Sequence, residues 1–323
     1  MRYGVTLQGV DDPDRFVELV TRIEELGYDD LWLTDSSLHA GEVYVYATLA
    51  LRATRRIRVG TAVTNPLTRH PAITANAFAT LHQLAPGRVV CGIGVGDRPL
   101  LEIGLKAAKI DTLTTTVQTL RRLWCGDELD DAAGPHSAGA RLRRPPGELP
   151  VYWAASGPRT LRAAGEHADG VILLAGLFPE GLDFALEHLD RGRAVSERRS
   201  FTRTCFLYGS LREDERTAID EARTIAAWFP QTAPAYARLA GMSDELIASI
   251  VATYGGGEFQ DASAAAELIS DDLVRKLAFV GTPRTAATKL DWLRERKLEA
   301  VSVFPLGADR QGTIERFATM AQA

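Results

Sequence analysis

The sequence predicts an α/β protein, a (βα)8 TIM barrel with a helical insertion before the last βα unit. Three observations predict it. Short β-rich runs alternate with longer helical stretches along the 323 residues. Those runs are mostly continuous and apolar, which marks strands covered on both faces, as in a parallel sheet. About eight such units over this length suit a closed barrel better than an open doubly wound sheet. Residues 1–323 are therefore read as one barrel domain, with 229–278 as an insertion or lid within it.

Each element has its own signal. Arg2–Leu7 reads as the first strand. Pro13–Leu26 follows as a helix, with Phe16, Val17, Leu19, Val20, Ile23 and Leu26 near a 3.6-residue period and Gly27 as C-terminal cap. Asp30–Thr34 is strand two and Glu42–Ala53 the second helix. Ile57–Thr64 is strand three, and Pro71 opens the helix to Leu84, with His70 capping or packing at its start. Pro86-Gly87 turns into strand four, Arg88–Ile93, and helical stretches follow at 97–106 and 111–125. Residues 127–148, rich in Gly, Pro and charge, read as a loop with room for a small hairpin. Strand five is Pro150–Ala154, helix five Pro158–His167, strand six Gly170–Leu174 and helix six Pro179–Ser196. Strand seven is Thr202–Gly209, followed by a helix over Glu213–Trp228. After the 229–278 segment, with its own helix near Asp244–Tyr254, come a helix at Pro283–Arg296, strand eight at Ala300–Phe304 and a closing helix near Asp309–Met320.

Composition narrows the function. Formal net charge is −5, and no Lys/Arg block is long enough for a nucleic-acid stripe. Three cysteines lie far apart, which excludes a disulfide scaffold and suits a reducing cytoplasm. The N-terminus lacks a signal peptide and no window suggests a membrane span, so a soluble cytoplasmic protein is expected. The six histidines show no metal-ligand spacing, so no metal is expected.

Barrel chemistry sits at the C-terminal ends of strands. That selects Thr6, then Asp35 and Ser36, then Ala62 to Asn65, Gly94 to Asp97, Ser156 to Pro158, and Ala175-Gly176. Ser156-Gly157-Pro158-Arg159-Thr160 opens a helix, where free N–H groups and the helix dipole favour an anion such as phosphate. An ordinary Gly-Pro helix start is the alternative. Gly92-Ile93-Gly94-Val95-Gly96-Asp97 has the wrong glycine spacing and position for a dinucleotide fold. Its glycines suggest instead a planar ligand pressed on the backbone.

Together, Leu33-Thr34-Asp35, the run from Val63 through Thr64-Asn65-Pro66 to Ala75, Gly92–Asp97, Ser156-Gly157-Pro158, Ala168-Asp169-Gly170-Val171 and Phe279-Val280-Gly281-Thr282-Pro283 resemble the luciferase-like monooxygenase superfamily. The resemblance is strongest to its coenzyme F420-dependent branch, which holds methylenetetrahydromethanopterin reductase. It implies a non-prolyl cis peptide at Ala62–Val63 backing a deazaflavin. It implies ring contacts from Thr64, Asn65, Gly96, Asp97 and Asp35, a phosphate held by Ser156, Gly157, Pro158 and Arg159, and a cofactor tail near Ala175 and Gly176. Relatives often carry His where this chain has Ser36, and the methanopterin reductases carry Glu where it has Thr6. The resemblance thus implies an F420-dependent oxidoreductase whose hydride acceptor is another electron-poor C=C, C=N or C=O, in a small molecule or modified peptide. Asp97 or Asp35 is then the candidate acid, and Thr6 or Ser36 the candidate substrate-orienting hydroxyl. An FMN-dependent monooxygenase and a non-catalytic deazaflavin-binding barrel are the alternatives. A homodimer is also implied.

Overall fold

The computed structural model describes residues 1–8, 12–36, 38–96, 98–130, 137–256 and 259–322, without the side chain of Arg98. Eight parallel strands close into a barrel: β1 (Arg2–Leu7), β2 (Asp30–Leu33), β3 (Arg58–Thr61), β4 (Val89–Ile93), β5 (Val151–Ala155), β6 (Gly170–Leu173), β7 (Thr202–Leu211) and β9 (Ala300–Pro305). Closure runs through β9, which pairs with β7 on one side (Thr204 opposite Ala300) and with β1 on the other (Arg2 opposite Ala300). Helices alternate with these strands: α1 (Pro13–Glu25), α2 (Val43–Ala53), α3 (Pro71–Leu84), α4 (Arg98–Glu102), α5 (Ile110–Cys125), α6 (Pro158–His167), α7 (Pro179–Arg193) and α8 (Glu215–Thr232). Their apolar faces and the outward strand residues form one large core, with Phe16, Ile23, Phe78, Leu120 and Leu189 fully or almost fully buried.

A second, smaller cluster fills the barrel itself. Trp32, Val90, Tyr152, Ile172 and Phe206 pack inside it, with Ala62, Val63 and Ala154 above them. A barrel of eight strands leaves room for side chains and not for a pore. A ligand is thereby confined to the mouth, on top of this plug.

Local chemistry explains the helix starts. Asp12 caps α1 by accepting from Asp14 N and Arg15 N, and Glu42 caps α2 in the same way. His70 caps α3 through Nδ1, which accepts from Ala72 N at 3.2 Å, as the position before Pro71 suggested.

Some elements depart from the sequence reading. The helix expected to end at Trp228 runs on to Thr232 through Pro230. A proline inside a helix removes one backbone bond, and burial of Phe229 and Pro230 against the core outweighs that loss. The stretch expected to be helical over 97–106 is helical only at Arg98–Glu102. Between α8 and β9 the chain adds α9 (Pro234–Leu239), α10 (Asp244–Thr253), a 3-10 turn (Phe259–Ala262), α11 (Ser263–Ala266), α12 (Asp271–Leu277), the short strand β8 (Phe279–Gly281) and α13 (Pro283–Arg294). β8 extends the sheet beside the end of β7, Gly209 opposite Phe279, and was not anticipated as a strand. α14 (Arg310–Gln322) closes the fold. No helix among the described residues is long and apolar enough to cross a membrane.

Candidate active site

A cavity of about 460 Å³ opens at the C-terminal mouth of the barrel. Its floor is the top of the barrel plug: Ala62, Val63, Ala154, Ile172 and Phe206. The peptide between Ala62 and Val63 is cis, where the family resemblance implied it. Gly94 lies against this bulge. A Cβ on Gly94 would stand 3.0 Å from Val63 Cγ2 and 3.3 Å from Ala154 Cβ, inside space the cavity now uses. Gly96 takes φ +81, which favours glycine, and a Cβ there would meet Leu100 Cδ1 at 2.4 Å and Asn65 Cβ at 3.2 Å. Gly94 and Gly96 leave backbone exposed to the recess on this side, between Val63, Val95 and Pro99.

The end of β2 supplies Thr34, Asp35 and Ser36 to the wall. Asp35 is buried and held from behind. Arg69 Nη1 donates to its Oδ2 at 2.5 Å and Nη2 to its Oδ1 at 3.1 Å. Arg69 also bonds Glu42 at 2.8 Å and lies 5.0 Å from the Tyr44 ring centroid. Burial disfavours the Arg69 charge, but the bonds to Asp35 outweigh it and hold the guanidinium above its ordinary value. Burial, with Cys91 and Asp35 adding, pushes the Tyr44 phenol well up, so it stays neutral. Asp35 is thus one member of a fixed ion-pair network, and the bidentate grip commits both its oxygens. The sequence offered it as an acid without revealing Arg69 as its partner, although Arg69 stands inside the quoted run from Val63 to Ala75. Thr34 Oγ1, on the same wall, is buried without a hydrogen-bond partner among the described residues.

Asn65 lines the cavity and turns the chain, its Oδ1 accepting from Leu67 N and Thr68 N, both at 2.9 Å. Its amide nitrogen is the side chain's remaining donor group. Thr64 is fully buried and does not line the cavity; its backbone bridges to β4 through Gly92 and Gly94. Just past the end of β5, Gly157 is the N-cap of α6 and no side chain caps that helix. Ser156 and Thr160 line the cavity at this point, while Pro158 and Arg159 are exposed beside it. Tyr236 Oη donates to Ser156 O at 3.0 Å and Thr160 Oγ1 to Gly157 O at 2.9 Å, which fixes the turn.

Besides Thr64, three predicted residues fall elsewhere. Thr6 is buried inside the barrel, its hydroxyl 2.8 Å from that of Ser302, and does not reach the cavity wall. Ala175 and Gly176 are buried; Gly176 backs onto the Phe178 ring, and neither lines the cavity. Along β1, Thr6 points into the barrel two residues below Gln8, which does line the cavity, and Ala175 and Gly176 lie beyond the end of β6 with the latter packed on Phe178. Asp97 lies outside the described residues. The sequence reading missed Trp228, Gln231, Thr232 and Phe259, which line the cavity from α8 and the 3-10 turn. No motif marks them; the unbroken α8 brings them in.

The site joins a backbone-lined recess at the mouth of a parallel barrel to a neighbouring helix start that no side chain caps. The chain belongs to the luciferase-like monooxygenase family, whose model matches residues 2–299. It is 29% identical to a 5,10-methylenetetrahydromethanopterin reductase of Archaeoglobus fulgidus, over 98% of this chain and 97% of that protein. It is also 29% identical to an F420-dependent glucose-6-phosphate dehydrogenase of Amycolatopsis mediterranei, over 68% of this chain and 70% of the relative. The solved coenzyme F420-dependent tetrahydromethanopterin reductase of Methanopyrus kandleri superposes with a TM-score of 0.84 at 25% identity, covering 99% of this chain and 97% of that one.

Proposed function

We propose that this protein is an F420-dependent oxidoreductase. It moves a hydride between the reduced deazaflavin and an electron-poor C=C, C=N or C=O of a small molecule or modified peptide. The observation that carries the reading is the glycine-lined recess over Ala62–Val63, with the start of α6, uncapped by any side chain, beside it at the end of β5. The residues present fit the group. A planar ring suits the space a Cβ on Gly94 would fill, and the orphan Thr34 Oγ1 offers a buried polar contact at its edge. A phosphate suits free N–H groups at a helix N-terminus.

Ala62, Val63, Asn65 and Gly96 would hold the ring, with Thr64 bracing Asn65 from behind. Ser156, Gly157, Pro158 and Arg159 would hold the phosphate. Bound F420 supplies a hydride donor at its ring C5. The chain supplies orientation and proton control. Asp35, fixed by Arg69, sets the charge beside the ring, and Ser36 presents a hydroxyl to the substrate. Asp97, by its place after Gly96, is the proposed proton donor. Activity should fall sharply in Asp97→Asn; wild-type turnover would remove it from the mechanism. Residues 229–278 would cover the bound substrate. The protein would work in the cytoplasm as a homodimer, with exposed Val45 on α2 and Ile73 and Leu84 on α3 at its interface.

Titration of the purified protein with F420 and, separately, FMN, read by tryptophan fluorescence, tests the reading. Low-micromolar F420 binding without FMN binding is expected. FMN binding alone would move the protein to the FMN-dependent monooxygenases. Binding of neither would overturn the proposed site.

A further inference from the structure

The glycine-lined recess is formed by the ends of β3, β4 and β5. The strands opposite them around the closed barrel are β7, β9 and β1. That side of the cavity is aromatic. Phe206 and Tyr208 come from β7, Trp228 from α8, Phe259 from the 3-10 turn and Phe304 from the end of β9. The rings brace one another. Tyr208 lies 5.1 Å from Phe304, 5.7 Å from Trp228 and 6.1 Å from Phe259, centroid to centroid, and Phe259 lies 6.0 Å from Phe304. Most meet edge to face, the arrangement aromatic rings favour, so the wall is formed before anything binds.

Charge is scarce here. Among the described residues lining the cavity, Asp35 is the one charged side chain, and Arg69 already neutralises it. The polar groups bordering the aromatic wall are neutral: Gln8, Tyr208, Gln231 and Thr232. A carboxylate or phosphate seated on this wall would be desolvated with no cation to meet it among the described residues that line the cavity. A flat apolar molecule would trade water for ring contacts, and a neutral amide or hydroxyl suffices to orient a single carbonyl oxygen.

We infer that the hydride acceptor of this site is an uncharged, flat, conjugated carbonyl compound that stacks on the wall of Tyr208, Trp228, Phe259 and Phe304. The inference rests on the F420-dependent reading above and narrows its substrate class. In the reaction it implies, the carbon–carbon double bond of an enone becomes a single bond. The β-carbon gains a hydride, with its two electrons, from the reduced deazaflavin, which is thereby oxidised. The α-carbon gains a proton that comes ultimately from water. A sugar phosphate, the substrate class named for one relative, lacks a charge partner among the described residues of this wall.

The test uses the protein saturated with oxidised F420, which cannot reduce the probe, so binding is read without turnover. Calorimetric titration compares benzylideneacetone, a neutral aryl enone, with cinnamate, its charged analogue, and with glucose 6-phosphate. The enone should bind at least about tenfold tighter than either anion. Trp228→Ala should weaken enone binding about fivefold to tenfold. Phe259→Leu, a milder change, should weaken it in the same direction, which keeps the test valid if Trp228→Ala does not fold. With reduced F420, the enone should be consumed faster than cinnamate. Equal or tighter binding of cinnamate or glucose 6-phosphate, or enone binding indifferent to both variants, overturns the inference and leaves the F420 reading standing. Failure of F420 itself to bind overturns that reading, and the inference falls with it.

Discussion

Arg69→Met removes the guanidinium that grips both oxygens of Asp35 on the cavity wall. The Asp35 side chain is 2% exposed and that of Arg69 19%, and the two contacts are 2.5 and 3.1 Å. Deleting one partner of a buried pair costs about 3–5 kcal/mol, because the other charge stays buried without it. Arg69 touches solvent and water can follow its removal, which places the cost near the lower end, about 3 kcal/mol. At roughly 2 °C per kcal/mol for a chain this large, Tm should fall by about 6 °C. Asp35→Asn on the Arg69→Met background removes the stranded charge, so the double variant should recover about 2 kcal/mol relative to the sum of the single variants. Equilibrium urea unfolding at neutral pH, with thermal scans, measures all four proteins of the cycle. F420 affinity should drop in Arg69→Met as well, since Asp35 stands between two wall residues, Thr34 and Ser36. A single variant within about 0.5 kcal/mol of wild type, or single effects that simply add, would refute the reasoning that the pair is buried and coupled.

Gly94→Ala should leave the far-ultraviolet circular dichroism unchanged and weaken F420 binding about tenfold, since the new methyl would stand 3.0 Å from Val63 Cγ2 in the recess; fluorescence titration checks it. Burial raises the Glu24 carboxyl, but backbone bonds from Ile57, Arg56 and Arg55 more than reverse this and hold it below its ordinary 4.5. Its folded value is depressed, so its stabilisation is complete above about 4.5 and is lost as pH falls through the lower folded value. Glu24→Gln should therefore cost about 1 kcal/mol at neutral pH, discounted for partial exposure, and almost nothing in strong acid, measured by urea unfolding across pH. Burial pushes the Cys205 thiol up to about 12 and Cys91 higher still, while Cys125 is exposed. Iodoacetamide at neutral pH should label Cys125 alone in the native protein and all three thiols in urea, as mass spectrometry will show.

Periodicity and composition alone placed the eight barrel strands, because a continuous apolar run between helices has one stable home, a parallel sheet covered on both faces. Local chemistry accounts for helix starts too: Asp12, Glu42 and His70 cap the helices they precede, and Gly157 at the N-cap of α6 has no side chain with which to cap it. The run around Asn65 and the glycines after β4 were legible as a candidate site because backbone shape is written in glycine and in short motifs. Partnerships were not legible. Asp35 and Arg69 are 34 residues apart, Thr6 and Ser302 are 296 apart, and nothing local says that one pair guards the mouth while the other lies inside the barrel. Pro230 argued for a helix end, and packing of α8 against the core overruled it, carrying Gln231 and Thr232 to the cavity and the chain onward to Phe259. Sequence by itself determined the eight barrel strands and the backbone-made half of the candidate site, because those depend on neighbours along the chain. The tertiary structure alone decided which side chains meet across the mouth, because contact there depends on how the barrel closes and how far each helix runs before it turns.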